Sequence, residues 1–256
     1  LLQYDTCYGD YEHEVLPGKD FLQVGSKKIP VFAVKDPSQL PWAELKVDVV
    51  LECTGRFRTK ADAGLHLKAG AKKVLISAPA KDKGVKTVVL GVNADKFKKT
   101  DKIISNASCT TNCLAPVTKV IKDNFGIQKA IMTTIHSYTA DQNLVDGPHK
   151  DLRRALAAAW NIVPTTTGAA KATCLTIPGL DGKFDGMAVR VPTPVASLTD
   201  VVFLTKKKVS EKDVNKAIKK AARSAAMKGI LDYSEEPLVS SDYIGHPAST
   251  IVDLLS

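Results

Sequence analysis

Five cysteines (Cys7, Cys53, Cys109, Cys113, Cys174) and five histidines (His13, His66, His136, His149, His246) hold the chain's candidate nucleophiles and bases. One cysteine stands out by its setting. In Ser105-Asn106-Ala107-Ser108-Cys109-Thr110-Thr111-Asn112-Cys113-Leu114, an apolar strand runs in and a helical pattern runs out through Val117, Val120, Ile121 and Phe125. The pattern puts Cys109 at or beside a helix N-terminus, where unpaired N–H groups and the helix dipole favour an anion. A thiolate is such an anion, so the spacing predicts an acidified, reactive thiol. Ser108, Thr110 and Thr111 add hydroxyls that can bind a phosphate or a carbonyl oxygen. Cys113 lies one turn further on the same face and reads as a small buried hydrophobe.

A cysteine nucleophile needs a base. His136 ends an apolar strand running from Ala130 and enters the polar loop 137–142, and strand ends are where sites are built. His66 falls inside a predicted helix and is expected at the surface. His149, among Lys150, Arg153 and Arg154, reads as either a pH-sensitive loop residue or an exposed one. Arg190 interrupts the apolar strand 187–191, and a charge there calls for a partner or an anionic ligand. The turn Thr165-Thr166-Thr167-Gly168-Ala169-Ala170-Lys171 fits an anion site or a plain N-cap.

The elements that must carry these residues divide in two. Apolar runs at 47–52, 74–77, 88–92 and 103–105 read as strands of a mostly parallel sheet, with a helix from an N-cap at Thr59 to Gly70. Further on, 130–136, 187–191 and 200–205 read as strands. The capping box Ser210-Glu211-Lys212-Asp213 opens a helix that stops near Gly229, an α+β pattern. The predicted boundary separates residues 1–108 from 109–256. No G-x-G-x-x-G is present, so the usual first turn of a dinucleotide-binding unit is missing.

The chain has 256 residues, 44% hydrophobic and 25% charged, the balance of one large globular domain or two ordinary ones. No run of 18 apolar residues predicts a membrane span, and the start is not a signal peptide. It is also not a methionine, so the chain is expected not to begin where its gene begins. The odd cysteine count and the absence of C-x-x-C argue against a disulfide framework or metal site and for a reducing cytoplasm. Net charge is +9, with lysines crowding 81–102 and 206–220. Without an aromatic platform these read as a solvated face rather than a nucleic-acid surface, although their field attracts a phosphorylated metabolite.

Residues 107–114 resemble the active-site signature of the phosphorylating glyceraldehyde-3-phosphate dehydrogenases. Segments 134–139, 149–154, 165–172 and 187–194 resemble that family's other signatures, in its order. The likeness runs from Tyr4-Asp5 to Ile251-Val252-Asp253. It implies an α/β fold: a partial Rossmann-type parallel-sheet NAD-binding domain followed by an α+β catalytic domain. It implies that Cys109 attacks the aldehyde of glyceraldehyde 3-phosphate and that His136 is the base. The resulting thioester would be attacked by inorganic phosphate, a glycolytic and gluconeogenic reaction. Thr139 and Arg190 would hold the substrate's phosphate, and Ser108, Thr110, Thr167 and Gly168 the attacking one, with Arg154 nearby. Lys35, Thr54, Gly55 and Ser77 would contact NAD. Pro148 would lie in a loop reaching a neighbouring subunit of a homotetramer, and leans toward NAD over NADP.

Three departures stand out. The family's glycine-rich first unit and its acidic ribose ligand have no counterpart before Leu1. Its nicotinamide-orienting asparagine and terminal helix have none after Ser256. Leu156 replaces a common arginine. The chain is therefore expected to be a piece truncated at both ends that keeps the catalytic centre and binds NAD poorly on its own, with its activity alone in doubt. Rival readings are an erythrose-4-phosphate dehydrogenase on the same fold and a non-catalytic basic protein that contacts RNA. A thiol-redox role for Cys109 is compatible with the enzyme.

Overall fold

A computed structural model describes residues 1–256. Five short strands open the chain, none of them anticipated from the sequence. β1 (Tyr4–Asp5) pairs with β2 (Gly9–Asp10), and β3 (Val15–Pro17), β4 (Phe21–Val24) and β5 (Lys27–Pro30) form an antiparallel meander. β6 (Val49–Glu52), α1 (Lys60–Lys68), β7 (Lys73–Ile76), β8 (Lys86–Thr87) and β9 (Ile103–Ser105) follow. Their strands form one parallel sheet in the order β6-β7-β9-β8. Thr59 caps α1 by accepting from the Asp62 amide at 3.0 Å. Gly70 then turns the chain at φ 107, and a Cβ there would sit 2.6 Å from Ala43.

One predicted strand is corrected. The run 88–92 is a turn, and the paired residues are Lys86 and Thr87. The cause is Asn93, whose side chain accepts from the Val89 amide (2.8 Å) and donates to the Thr87 carbonyl (3.0 Å). This Asx-type closure outcompetes a ladder, and Gly91 at φ 73 completes it.

The second half begins with α2 (Cys109–Phe125) and β10 (Ile127–Ser137). β11 (Val163–Thr166), α3 (Ala169–Thr176), β12 (Phe184–Val191), β13 (Leu198–Thr205), α4 (Glu211–Ala222), β14 (Leu231–Ser234) and β15 (Thr250–Asp253) complete it. A mixed sheet runs β11-β12-β10-β13, with β10 parallel to β12 and antiparallel to β13. Leu114, Ala115 and Ile121 of α2 and Ala170 and Cys174 of α3 share a core with Ala130, Met132 and Phe184 of the sheet. α4 opens with the predicted capping box and buries Ile218 against Val120 and Leu231.

The register between β10 and β12 fixes the site. Ala130 pairs with Phe184 and His136 with Arg190, without a slip. Strand residues two apart share a face, so His136 and Arg190 both lie on the face that carries Met132 and Ala188. Gly186 makes the close pairing feasible, because a Cβ there would lie 2.4 Å from the Met132 sulfur. The opposite face exposes Ile131, Leu198, Val202 and Leu204.

Candidate active site

The link from β9 to α2 is tight and held from both sides. The Ser105 hydroxyl donates to the Ala78 carbonyl (2.6 Å) and accepts from the Ala107 amide (3.0 Å). Ala107 is buried at φ 65, a left-handed conformation that costs a non-glycine residue about 1 kcal/mol. Asn112 reaches back to the carbonyls of Asn106 (2.7 Å) and Ser108 (2.9 Å). Ser108 becomes the N-cap of α2, its hydroxyl accepting from the Thr111 amide at 3.1 Å. Cys109 is thereby the first helical residue, with its surface exposed.

His136 faces it from the end of β10. The Cys109 sulfur lies 3.4 Å from His136 Nε2. His136 is buried, and its Nδ1 lies 2.7 Å from the Ser137 carbonyl, which can only accept. Nδ1 therefore carries the proton in the neutral ring, and Nε2 presents its lone pair to the thiol. The hydrogen bond with His136, which becomes a donor to the thiolate once it has taken the proton, brings the Cys109 thiol down to about 7, against the effect of burial and with help from the charge of the protonated ring and from Thr110. Four residues on, burial pushes the Cys113 thiol up, and its sulfur sits 3.4 Å from the Thr250 hydroxyl.

The arginines gather on the same side. Arg190 donates from NH1 to the Ser137 carbonyl (3.0 Å) and to the Thr139 hydroxyl (3.3 Å). One carbonyl thus holds both the histidine ring and the guanidinium. Arg190 Nε is buried without a partner, a donor left for an anion. Burial, and then the neighbouring Arg154 charge, hold Arg190 below the usual arginine range. Arg154 pairs with Asp141, donates from Nε to the Thr165 hydroxyl (3.0 Å) and reaches the Thr166 carbonyl from NH2 (3.4 Å). It so joins the turn to α3, where Gly168 is the N-cap and the Thr167 hydroxyl accepts from the Ala169 amide (3.2 Å).

The predicted cofactor contacts divide. Thr54 donates from its amide (2.8 Å) and hydroxyl to the Glu52 carboxylate, and Ser77 from its amide (3.0 Å) and hydroxyl (3.3 Å) to the Glu52 carbonyl. Glu52, Ile76 and Ser105 end three neighbouring parallel strands at one edge, the edge from which the chain runs on to Cys109. Ligands of open parallel sheets bind at that edge. Gly55, at φ 71 with open space where a Cβ would stand, offers bare backbone there. These polar groups and this bare backbone fit a dinucleotide. Lys35 is exposed without a hydrogen bond or ion pair, and Pro148 lies in the exposed loop 138–162; neither meets the other site residues within the chain.

His66 is corrected: it is 5% exposed, not a surface residue. Its Nε2 lies 3.0 Å from Glu52, and its Nδ1 accepts from the Trp42 indole at 3.1 Å. The sequence places His66 on a helix but does not show that this helix face packs on Trp42 and the end of β6. Sequence reasoning also missed Asp141 and Asp151, the acids around Arg154. The cue was available in the acids Asp141, Asp146 and Asp151 close to His149, Lys150, Arg153 and Arg154. Nothing in the sequence marks Ala107 as left-handed.

Comparison with known proteins places this geometry. Residues 108–256 match the family described as glyceraldehyde 3-phosphate dehydrogenase, C-terminal domain, and residues 1–60 its NAD binding domain. A glyceraldehyde-3-phosphate dehydrogenase of Mycobacterium avium is 57% identical over 255 residues, covering 99% of this chain and 75% of its own. Those of Geobacillus stearothermophilus and Streptomyces coelicolor are each 55% identical, over 100% and 99% of this chain and 76% and 75% of their own. With a thiol–imidazole pair at a helix N-terminus and an open parallel-sheet edge beside it, the chain belongs to the glyceraldehyde-3-phosphate dehydrogenase family of NAD-dependent oxidoreductases.

Proposed function

We propose that this chain carries the phosphorylating oxidation of glyceraldehyde 3-phosphate through a thioester on Cys109, the step shared by glycolysis and gluconeogenesis. The observation that carries the reading is the 3.4 Å contact between the Cys109 sulfur and an Nε2 whose lone pair is free. His136 takes the thiol proton, the thiolate attacks the aldehyde carbon, and the protonated ring returns the proton to the carbonyl oxygen, which gives a thiohemiacetal and a neutral His136. His136 then takes the hydroxyl proton as the carbonyl re-forms. NAD, when bound at the strand edge, supplies the hydride acceptor for that step. Arg190 and Thr139 hold the substrate's phosphate. Ser108, Thr110, Thr167 and Gly168 hold the phosphate that attacks the thioester, with Arg154 beside them. Residues 1–108 serve the cofactor and 109–256 the chemistry.

Two apolar surfaces support a homotetramer: the outer sheet face with Ile131 and Val202, and the loop 138–162 with Leu144, Leu152 and Trp160 exposed. Pro148 lies on that loop, the position from which a subunit reaches its neighbour's cofactor.

The test is NADH formation with glyceraldehyde 3-phosphate, phosphate and NAD, beside Cys109→Ser. Turnover lost by about 10³-fold or more is expected, and turnover that survives the substitution overturns the reading. A second arm needs no cofactor. Iodoacetamide is expected to label Cys109 before the other four cysteines, and uniform labelling counts against the thiolate.

A further inference from the structure

His149 has no part in the chemistry above, yet it is held on both ring nitrogens. Its Nδ1 lies 2.9 Å from the Asp151 amide and 3.0 Å from the Asp151 carbonyl, and its Nε2 lies 3.8 Å from an Asp141 oxygen. The tautomer with the proton on Nε2 lets Nδ1 accept from the Asp151 amide and turns the N–H to the side of Asp141. Asp151 in turn accepts from the Thr165 hydroxyl at 3.0 Å, and that hydroxyl accepts from Arg154 Nε at 3.0 Å. The other oxygen of Asp141 accepts from Arg154 NH1. The contacts close a ring: His149, Asp151, Thr165, Arg154, Asp141 and back to His149. The side chains of His149 and Arg154 are 13% and 18% exposed, while Asp151 and Asp141 at the rim are 34% and 47% exposed.

The ring has a consequence for the guanidinium. Nε and NH1 are tied by short bonds, and Nε also lies 3.5 Å from Asp151. NH2 makes one long contact, 3.4 Å to the Thr166 carbonyl. A guanidinium so held offers NH2 in a fixed direction, and fixed direction is what makes an arginine a selective phosphate donor. The acids nearby are held ionised: the Thr165 hydroxyl lowers Asp151, and Arg154 and His149 lower Asp141 against the effect of burial.

We infer that His149 is a positioning residue that orients Arg154 toward the attacking phosphate through Asp141 and Asp151. The inference rests on the proposed phosphate role of Arg154. His149 tests it better than either acid does. Removing an acid also changes the local field, which tightens an anion for a different reason. Replacing the imidazole leaves both acids and the arginine in place.

The experiment measures how inorganic phosphate slows iodoacetamide alkylation of Cys109. It compares the unaltered chain with His149→Leu, His149→Phe, His149→Gln and Arg154→Ala, each read against its own unprotected rate. His149→Leu is expected to raise the half-protecting phosphate concentration about fivefold, the worth of one hydrogen bond. His149→Gln keeps a donor and an acceptor and is expected to stay within about twofold. His149→Phe keeps the ring's bulk without its nitrogens, so it repeats the measurement if the leucine variant does not fold. If Leu and Phe leave protection unchanged while Arg154→Ala weakens it, the positioning role is overturned and the phosphate site stands. If Gln weakens protection as much as Leu does, the ring's bonds are not what matters and the inference also falls. If phosphate does not protect the unaltered chain, or Arg154→Ala changes nothing, the phosphate reading of Arg154 falls and takes the inference with it.

Discussion

His66 and His136 are both buried, and each lies against the end of a strand, one in each half of the chain. Their neighbours give them opposite properties. At His66 the Trp42 indole can only donate, so Nδ1 must accept, and the proton on Nε2 goes to Glu52. Both nitrogens are committed, and no lone pair is left to take a proton. At His136 the Ser137 carbonyl can only accept, so Nδ1 keeps the proton and Nε2 faces the thiol with a lone pair. One histidine fastens the end of β6; the other keeps a lone pair turned to a thiol, as the proposed base needs. A single partner at Nδ1, a donor or an acceptor, separates scaffold from base.

The largest effect that would sharpen this contrast is expected at the fastened site. Glu52→Leu removes the acceptor shared by His66 and Thr54 and should cost about 3 kcal/mol, read from urea midpoints. Glu52→Gln keeps an acceptor and should cost roughly 1 kcal/mol. Equal losses for the two would show that the pairing at His66 is not what stabilises the edge.

At the working site stability should barely move while reactivity falls. His136→Asn is expected to shift the pH midpoint of Cys109 alkylation from about 7 toward the ordinary 9.0. At pH 7 the thiolate fraction, and with it the alkylation rate, should drop by roughly tens of fold. The sign follows from the lowered thiol: reactivity rises as pH rises through about 7. The stability it lends is present above the unfolded thiol's value and is lost as pH falls through about 7. An unchanged midpoint would assign the acidity to the helix terminus instead.

Smaller effects are expected further from the two histidines. Gly186→Ala would press a Cβ against Met132 and should cost roughly 1–2 kcal/mol, with a lower alkylation rate as the paired strands shift. Cys113→Ser should leave the alkylation midpoint of Cys109 in place within about 0.3 units, because its thiol stays protonated near pH 7. A midpoint that moved with Cys113 would mean that the two thiols titrate together.

Much of the site was legible because it is local. The strand into Ser105, the hydroxyls around Cys109 and the helical spacing after it follow one another along the chain. Helix-start chemistry is a short-range matter, so Thr59 and Ser210 both take the capping places their neighbours predict. What the sequence hid is where several acceptable local structures compete. Residues 88–92 are apolar enough for a strand, and one asparagine side chain turned them. Ala107 carries no mark of a left-handed backbone, because the conformation is imposed by Ser105 and Asn112 on either side. The ring around Arg154 joins residues 141 to 165, and spacing does not say which acid meets which base.

The sequence by itself determined the place of Cys109 at a helix start, the parallel-sheet and α+β character of the two halves, and the family. These follow from periodicity, capping and motif order, all read along the chain. Only the tertiary structure decided that His136 offers a lone pair to the Cys109 thiol while both nitrogens of His66 are committed. Helix and strand patterns put both in regular elements, and their roles depend on which atom, Trp42 Nε1 or the Ser137 carbonyl, folds against Nδ1. A proton's position is set by contacts in three dimensions.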